Sequence, residues 1–285
     1  MCKRTFTSKA RPSRRNTNIW NDYTKNKLTI KSLSAKYKLS NRTIWGIINK
    51  HSPGIKKETL EISPVQHLDA THFGRDYGLM LSLGSNGIPS YFHLFEGYET
   101  KLDYHAAIHS MNVNLKFNIK AVVIDIMPGL KNTLEALGLA VQYCQFHQVA
   151  IVRRYLTNNP RLEPNKQLKT IALNLKSSTK KEFKYLLDQW YLTNREWLNE
   201  RELSLNSNRL RYTHQRTRSA YHSLVRNLDN LFAFEDHPDL NIPRTNNRIE
   251  GYFSNLKGAL NSHRSLSKKL KTKMIFNFIR GTTGK

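Results

Sequence analysis

Val65-Gln66-His67-Leu68-Asp69-Ala70-Thr71 and Ala121-Val122-Val123-Ile124-Asp125 decide the fold of this chain. Each is a short apolar run that closes on an aspartate, and the second is apolar without alternation, as expected of a strand covered on both faces. Between them Leu79, Leu81 and Leu83 alternate along a second strand, Ser85-Asn86-Gly87 turns the chain, and Tyr91–Phe95 is a third strand. Thr100-Lys101-Leu102-Asp103 has capping-box spacing and predicts a helix to about Met111. After Asp125, Pro128 opens a helix that ends before Gly138, Ala140–Cys144 is a fifth strand, and Gln148–Leu156 is a further helix.

The order β-β-β-α-β-α-β-α makes this an α/β protein, and it is the succession of a ribonuclease-H-like core, expected over residues 62–158. From Pro160 strand signals vanish. Leu168, Ile171 and Leu175, then Phe183, Leu186, Leu187 and Trp190, recur at helical spacing, and Trp190 and Trp197 can share one helix face, so 159–240 reads as an all-helical insertion. A last helix from Asn247 to about Leu260, completing the core, and a basic tail occupy 241–285. Upstream, residues 1–18 read as a basic arm and 19–52 as a helix-turn-helix. Ile30, Leu33 and Tyr37 mark its first helix; Ser40 caps a second, Asn41–Lys50, with Ile44, Ile47 and Ile48 inward. Asn41, Arg42 and Thr43 at the start of that second helix are candidate DNA contacts.

Composition narrows the partners. Of 285 residues, 46 are Lys or Arg and 21 Asp or Glu, a formal charge of +25, while 39% are hydrophobic. A foldable chain with that excess favours polyanions, because phosphates that bind Lys and Arg release condensed counterions. Two cysteines, Cys2 and Cys144, give no disulfide framework and fit a reducing compartment. Lys3–Arg15 has no apolar stretch of the secretory kind, and no run approaches the roughly 18 apolar residues of a membrane span. The expected location is the cytoplasm, associated with the nucleoid.

Against this background acids are scarce, and three stand out. Asp69 and Asp125 close strands that lie side by side in the expected fold, and Glu250 opens the last helix. Two carboxylates that close repel, and a divalent cation removes the conflict. Phosphoryl transfer by two ions about 4 Å apart needs carboxylates converging in this way from separate elements. Other roles stay open for each: a loop acid for Asp69, a helix cap for Asp125, and a capping box Asn247-x-x-Glu250 for Glu250. Asp229, Glu235, Asp236 and Asp239 are rival third acids.

Leu68-Asp69-Ala70-Thr71, Asp125-x-x-Pro128-Gly129-Leu130, Cys144-Gln145-Phe146-His147 and Thr245-Asn246-Asn247-Arg248-Ile249-Glu250-Gly251 together resemble the motif set of DDE transposases. The nearest in pattern are bacterial insertion-sequence enzymes related to the Mutator superfamily, and the resemblance runs from residue 65 to about 270. It implies phosphodiester hydrolysis and strand transfer at element ends, with Asp69, Asp125 and Glu250 holding two Mg²⁺ (or Mn²⁺) ions. DNA, as terminal inverted repeats and target, is the implied partner, bound by a homodimer or larger synaptic assembly. Ile126 departs from the pattern, where relatives often carry glycine.

Cys144 and His147 match the Cys-x-x-His of that superfamily. The spacing suits zinc, but no second ligand pair is evident, and a structural role beside the site is expected. Arg153 and Arg154, two turns further on, and Arg248 are candidate DNA contacts; a solvated basic helix is the alternative for the first two. Met1–Thr7 resembles the closing end of a zinc ribbon that has lost its partner cysteines, so an N-terminal truncation is expected. Two other functions fit the same residues: an idle transposase-derived DNA-binding protein acting as relic or repressor, and a structure-specific nuclease on the same fold.

Overall fold

The computed structural model describes residues 13–51, 63–203, 209–263 and 266–282. The segment expected to be a zinc-ribbon remnant, most of the basic arm and the linker at 52–62 lie outside the described residues. The chain divides into two units, Met1–Leu60 with Gly251–Lys285, and Glu61–Glu250.

In the smaller unit three helices precede the linker: α1 (Arg14–Thr24), α2 (Ile30–Tyr37) and α3 (Asn41–Lys50). Residues 14–18, read from sequence as part of a basic arm, are the opening of α1. Ser13 Oγ accepts the Asn16 N–H at 3.2 Å, and the burial of Ile19, Trp20 and Tyr23 fixes the helix that those arginines begin. Ser40 Oγ caps α3 by accepting the Thr43 N–H at 3.1 Å. Ile44 and Ile48 are buried, Ile47 is half-buried, and Asn41, Arg42 and Thr43 are exposed. Lys38, at φ 53° in the left-handed region, makes the break between α2 and α3. Asp22 is the hub of the unit. Its carboxylate accepts from Lys36 Nζ, Tyr37 Oη and Asn26 Nδ2, each at 2.7 Å.

The larger unit holds a five-stranded mixed sheet: β1 (Val65–His72), β2 (Tyr77–Gly84), β3 (Pro89–Glu96), β4 (Ala121–Ile124) and β5 (Ala140–Tyr143), in the order β3-β2-β1-β4-β5. β1, β2 and β3 form an antiparallel meander; β1 with β4 and β4 with β5 are parallel. All eight residues of β2 are buried, so its leucine alternation does not mark a wet face; Ser82 is accommodated by donating to Gln66 Oε1 at 2.8 Å. Gly78 has no substitute there, since a Cβ would meet the Phe95 ring at 2.2 Å. Helix α4 (Lys101–His109) follows β3 with the expected capping box. Helix α5 (Leu130–Glu135) begins two residues later than Pro128 suggested, because Gly129 turns the chain at φ 74° first. Helix α6 (Gln145–Leu156) follows β5 directly, three residues earlier than read from sequence.

Beyond α6 come α7 (Glu163–Leu173), α8 (Lys180–Asn199), β6 (Arg201–Leu203), β7 (Leu210–Tyr212), α9 (Gln215–Leu231) and α10 (Ala233–Asp236). The stretch is therefore not all-helical: β6 and β7 pair as an exposed antiparallel ribbon too short and too charged to carry a hydrophobic period. Trp190 stacks on Tyr221 of α9 and Trp197 on His214. Buried amides key α9 to the sheet edge. Gln142 and Gln145 both donate to the Leu231 carbonyl at 2.9 Å, and Gln148 donates to Ser223 Oγ at 3.0 Å.

Helix α11 (Asn247–Asn261) begins in the larger unit and passes into the smaller at Gly251. The segment read as a basic tail forms α12 (Lys268–Thr282), with Leu270, Met274, Ile275 and Ile279 buried. In the smaller unit Trp20 Nε1 donates to Asn277 Oδ1 at 2.9 Å, and Lys273 Nζ to the Ile48 carbonyl at 2.8 Å. The C-terminal helices are thus integral to the fold of the N-terminal ones, an assignment different from the separate 19–52 and 241–285 segments expected.

Lys36 and Tyr37 hold Asp22 down to about 2, so the stability it confers is present above the usual carboxylate range and is lost as pH falls toward 2. Asp22→Ala should lower the stability of the helical unit by about 2 kcal/mol, read as a shift in its denaturation midpoint at neutral pH that shrinks in acid.

Candidate active site

The register that pairs Val65 with Ala121 and His67 with Val123 fixes the centre of the site. Alternate residues share a face, so two positions further along, Asp69 within β1 and Asp125 just past the end of β4 stand on the same face. Burial first, and the Asp125 carboxylate second, push the Asp69 carboxyl well above the usual range; its Oδ1 accepts the Ala70 N–H at 2.7 Å.

Glu250 arrives on the same face through Asn246. This fully buried residue directly precedes α11, and its carbonyl accepts the Ile249 and Glu250 N–H groups. Its side chain reaches β1: Oδ1 lies 2.9 Å from His67 Nδ1, and Nδ2 donates to the Leu68 carbonyl at 3.3 Å. Its own N–H points to Cys144 Sγ at 3.2 Å. Cys144 in turn donates its N–H to the Ile124 carbonyl at 2.9 Å, and Gln145 donates to the Arg244 carbonyl at 3.0 Å. These bonds draw the start of α6, and with it His147, against the end of β4.

His147 Nδ1 lies 2.8 Å from Asp125 Oδ1 and 3.6 Å from Glu250 Oε1. These are charge contacts without hydrogen-bond alignment, since the same three atoms are buried and none has a hydrogen-bond partner. The Asp125 carboxylate, seconded by Cys144 and opposed by burial, raises His147 from the ordinary 6.5 to about 10. A protonated His147 offsets part of the negative charge of Asp125 and Glu250. Ligand atoms of Asp125, Cys144 and His147 all lie within 4.8 Å of one another, which makes them a group able to hold a metal ion; among the described residues Asp69 and Glu250 do not join it at that mutual spacing.

Glu99, in the turn between β3 and α4, is an acid that sequence reasoning missed. Burial raises its carboxyl, His72 opposes this and Asp125 adds to it, and its Oε2 is buried without a hydrogen-bond partner. No spacing signal marks it, because it belongs to no strand or helix. The rival acids lie elsewhere: Asp229 and Asp236 pair with Lys180, and Glu235 accepts from the Lys180 N–H. Of the candidate DNA contacts, Arg153 and Arg154 are exposed on the last turn of α6. Arg248 is exposed and donates through one guanidinium nitrogen to the Ser85 carbonyl. A cleft of about 540 Å³, lined by Ile126, Met127, Lys131, Tyr143, Arg226 and Asn230 among others, adjoins the end of β4.

No protein-family model matches the chain, and no curated protein matches it. Among solved structures it is similar to the "CryoEM structure of simian T-cell lymphotropic virus intasome in complex with PP2A regulatory subunit B56 gamma", at 11% identity over 72% of this chain and 68% of that one, with a TM-score of 0.23. A likeness at that TM-score carries no argument. Among the described residues no helix is long and apolar enough to cross a membrane.

Asn246→Ala should destabilise the larger unit by about 2–3 kcal/mol and weaken divalent-cation binding at least about tenfold, measured by denaturation and calorimetric titration. The site also sets a pH trend. A histidine raised to about 10 contributes stability that is complete below its ordinary 6.5 and fades as pH climbs toward 10; the raised Asp69 carboxyl acts in the same direction. Thermal denaturation of metal-free protein should therefore show a midpoint that falls across that window. A divalent cation at a hundredfold excess over its Kd should restore about 2.7 kcal/mol.

Proposed function

We propose that this protein is a DDE-type transposase with a ribonuclease-H-like core, which hydrolyses phosphodiester bonds at the ends of an insertion sequence and joins the freed 3′ ends to target DNA. The observation that carries the reading is the placement of Asp69, within β1, and Asp125, at the end of the adjacent parallel strand β4, on one face, with Glu250 of α11 turned toward the same histidine as Asp125. The sheet order, an antiparallel meander whose first strand also pairs in parallel with β4, supports the fold assignment. The four motifs and the +25 charge support the substrate.

The residues fit divalent cations. Asp125 Oδ1 and Glu250 Oε1 are buried acceptors with no hydrogen-bond partner, and Asp69 is an acid whose burial beside Asp125 disfavours a second negative charge. Asp69, Asp125 and Glu250 would hold Mg²⁺ or Mn²⁺, which when bound supplies charge neutralisation at the scissile phosphate and an activated water or 3′ hydroxyl. The protein's own part is positioning. The buried sheet fixes the two aspartates, Asn246 fixes Glu250, and the hydrogen bonds at Cys144 fix His147 where an imidazolium can face a phosphate oxygen.

DNA would be read by α3. Its exposed Asn41, Arg42 and Thr43 follow the tight turn at Lys38, which is the arrangement a helix-turn-helix uses in the major groove. Arg153 and Arg154 would add phosphate contacts, and pairing of two ends calls for a homodimer or larger assembly.

On DNA carrying the flanking element ends, with Mg²⁺ or Mn²⁺, the wild-type chain should nick and join, while Asp125→Ala and Glu250→Ala bind but do not cut. Tight, salt-sensitive binding with no cleavage by wild type would instead make the chain an idle DNA-binding derivative. Cleavage without strand transfer would make it a nuclease.

A further inference from the structure

Cys144 and His147 are three residues apart, and the sequence offered no second pair of ligands to go with them. The fold brings one from elsewhere. Asp125, at the end of β4, places a carboxylate oxygen within 4.8 Å of both Cys144 Sγ and a ring nitrogen of His147, and the Asp125–His147 approach is 2.8 Å through Nδ1. We propose that Asp125, Cys144 and His147 form a site for a thiophilic divalent cation, Zn²⁺ being the natural occupant, distinct in its donor set from the all-oxygen site of the three acids.

The donor chemistry selects the ion. One thiolate, one imidazole and one carboxylate suit zinc, whereas Mg²⁺ prefers oxygen throughout. Zinc bond lengths of about 2.0–2.3 Å imply tetrahedral edges of about 3.3–3.8 Å. The observed separations reach such edges with side-chain adjustments below about 1.5 Å. Glu250 Oε1, 3.6 Å from Nδ1, already sits at an edge distance and is the nearest group for the fourth position. Cys144 is fully buried, whereas the Asp125 and His147 side chains are about one-third exposed, with the facing atoms Oδ1 and Nδ1 themselves buried. The Asn246 N–H directed at Sγ, 3.2 Å away, is the kind of outer contact that stabilises a coordinated thiolate. Binding displaces the thiol proton of Cys144 and any proton on Nδ1 to solvent, leaving the Cys144 thiolate and the Asp125 carboxylate against a doubly charged ion, with Glu250 adding a third negative charge where it takes the fourth position.

The two sites share Glu250 where it takes the fourth position, and in every case Asp125. A thiophilic ion seated on it withdraws that carboxylate from the harder cation, so Zn²⁺ should inhibit DNA cleavage competitively with Mg²⁺. That consequence rests on the transposase reading; the binding does not.

The test uses Co²⁺ as a spectroscopic stand-in for Zn²⁺ on the metal-free full-length chain. One equivalent should bind with a near-ultraviolet sulfur-to-cobalt charge-transfer band, and Zn²⁺ should displace it. The band should vanish in Cys144→Ser. In His147→Asn and Asp125→Asn, whose positions are partly exposed and whose folding is checked by circular dichroism, affinity should fall at least about tenfold. Co²⁺ binding with no sulfur band, a band that survives Cys144→Ser, or unchanged affinity in His147→Asn would each overturn the proposal. If the band behaves as expected and Zn²⁺ leaves DNA chemistry untouched, the site stands and only its link to the proposed activity fails.

Discussion

Asn246 is the residue on which the geometry of the acidic site depends. It is buried, and every polar atom of its side chain and its backbone N–H is used on a different piece of chain: β1 through His67 and Leu68, and the start of α6 through Cys144. Its carbonyl starts α11. One amide thus sets the position of Glu250 relative to both strands that carry the aspartates. A buried amide is costly unless fully bonded, and full bonding is available only when those three pieces are in register. The same energetic demand that makes Asn246 expensive to bury makes it specify the site.

The site so assembled gathers four half-buried carboxylates. Asp69, Asp125, Glu99 and Glu250 come from a strand, a strand end, a turn and a helix, and raised carboxyls at Asp69 and Glu99 show that the protein alone does not neutralise them. His147 relieves part of the repulsion as an imidazolium. A proton on Nδ1 and a divalent cation are therefore alternatives at one location. Around them β2 and β4 are buried along their whole length, and β1 over its first four residues.

Much of this was legible in the sequence. The unbroken apolar run of β4 and the leucine alternation of β2 marked buried strands, and Asp69 and Asp125 in their two stretches marked the positions that the parallel register then sets side by side. The serine cap and isoleucine spacing of α3 gave a helix with its polar start exposed. What was not legible depends on contacts far apart along the chain. The basic residues of α12 hide a buried stripe at Leu270, Met274, Ile275 and Ile279, so it reads as a tail until the α1 contacts of Asn277 are seen. The β6–β7 ribbon is three residues per strand and exposed, below any periodic signal. Glu99 sits in a turn, where position says nothing about direction. Cys144 and His147 carried a spacing, but the ligand that completes them comes from β4.

The central claim is that Asp69, Asp125 and Glu250 are the oxygen ligands of a divalent-cation centre. Crystals of the full-length chain soaked with Mn²⁺, with diffraction recorded at the manganese absorption edge, test it most directly. The account predicts anomalous peaks within bonding distance of carboxylate oxygens of all three residues, beside the middle of β1, the end of β4 and the first turn of α11. No anomalous density there at a Mn²⁺ concentration that saturates binding in solution, or density confined to other carboxylates, would contradict it.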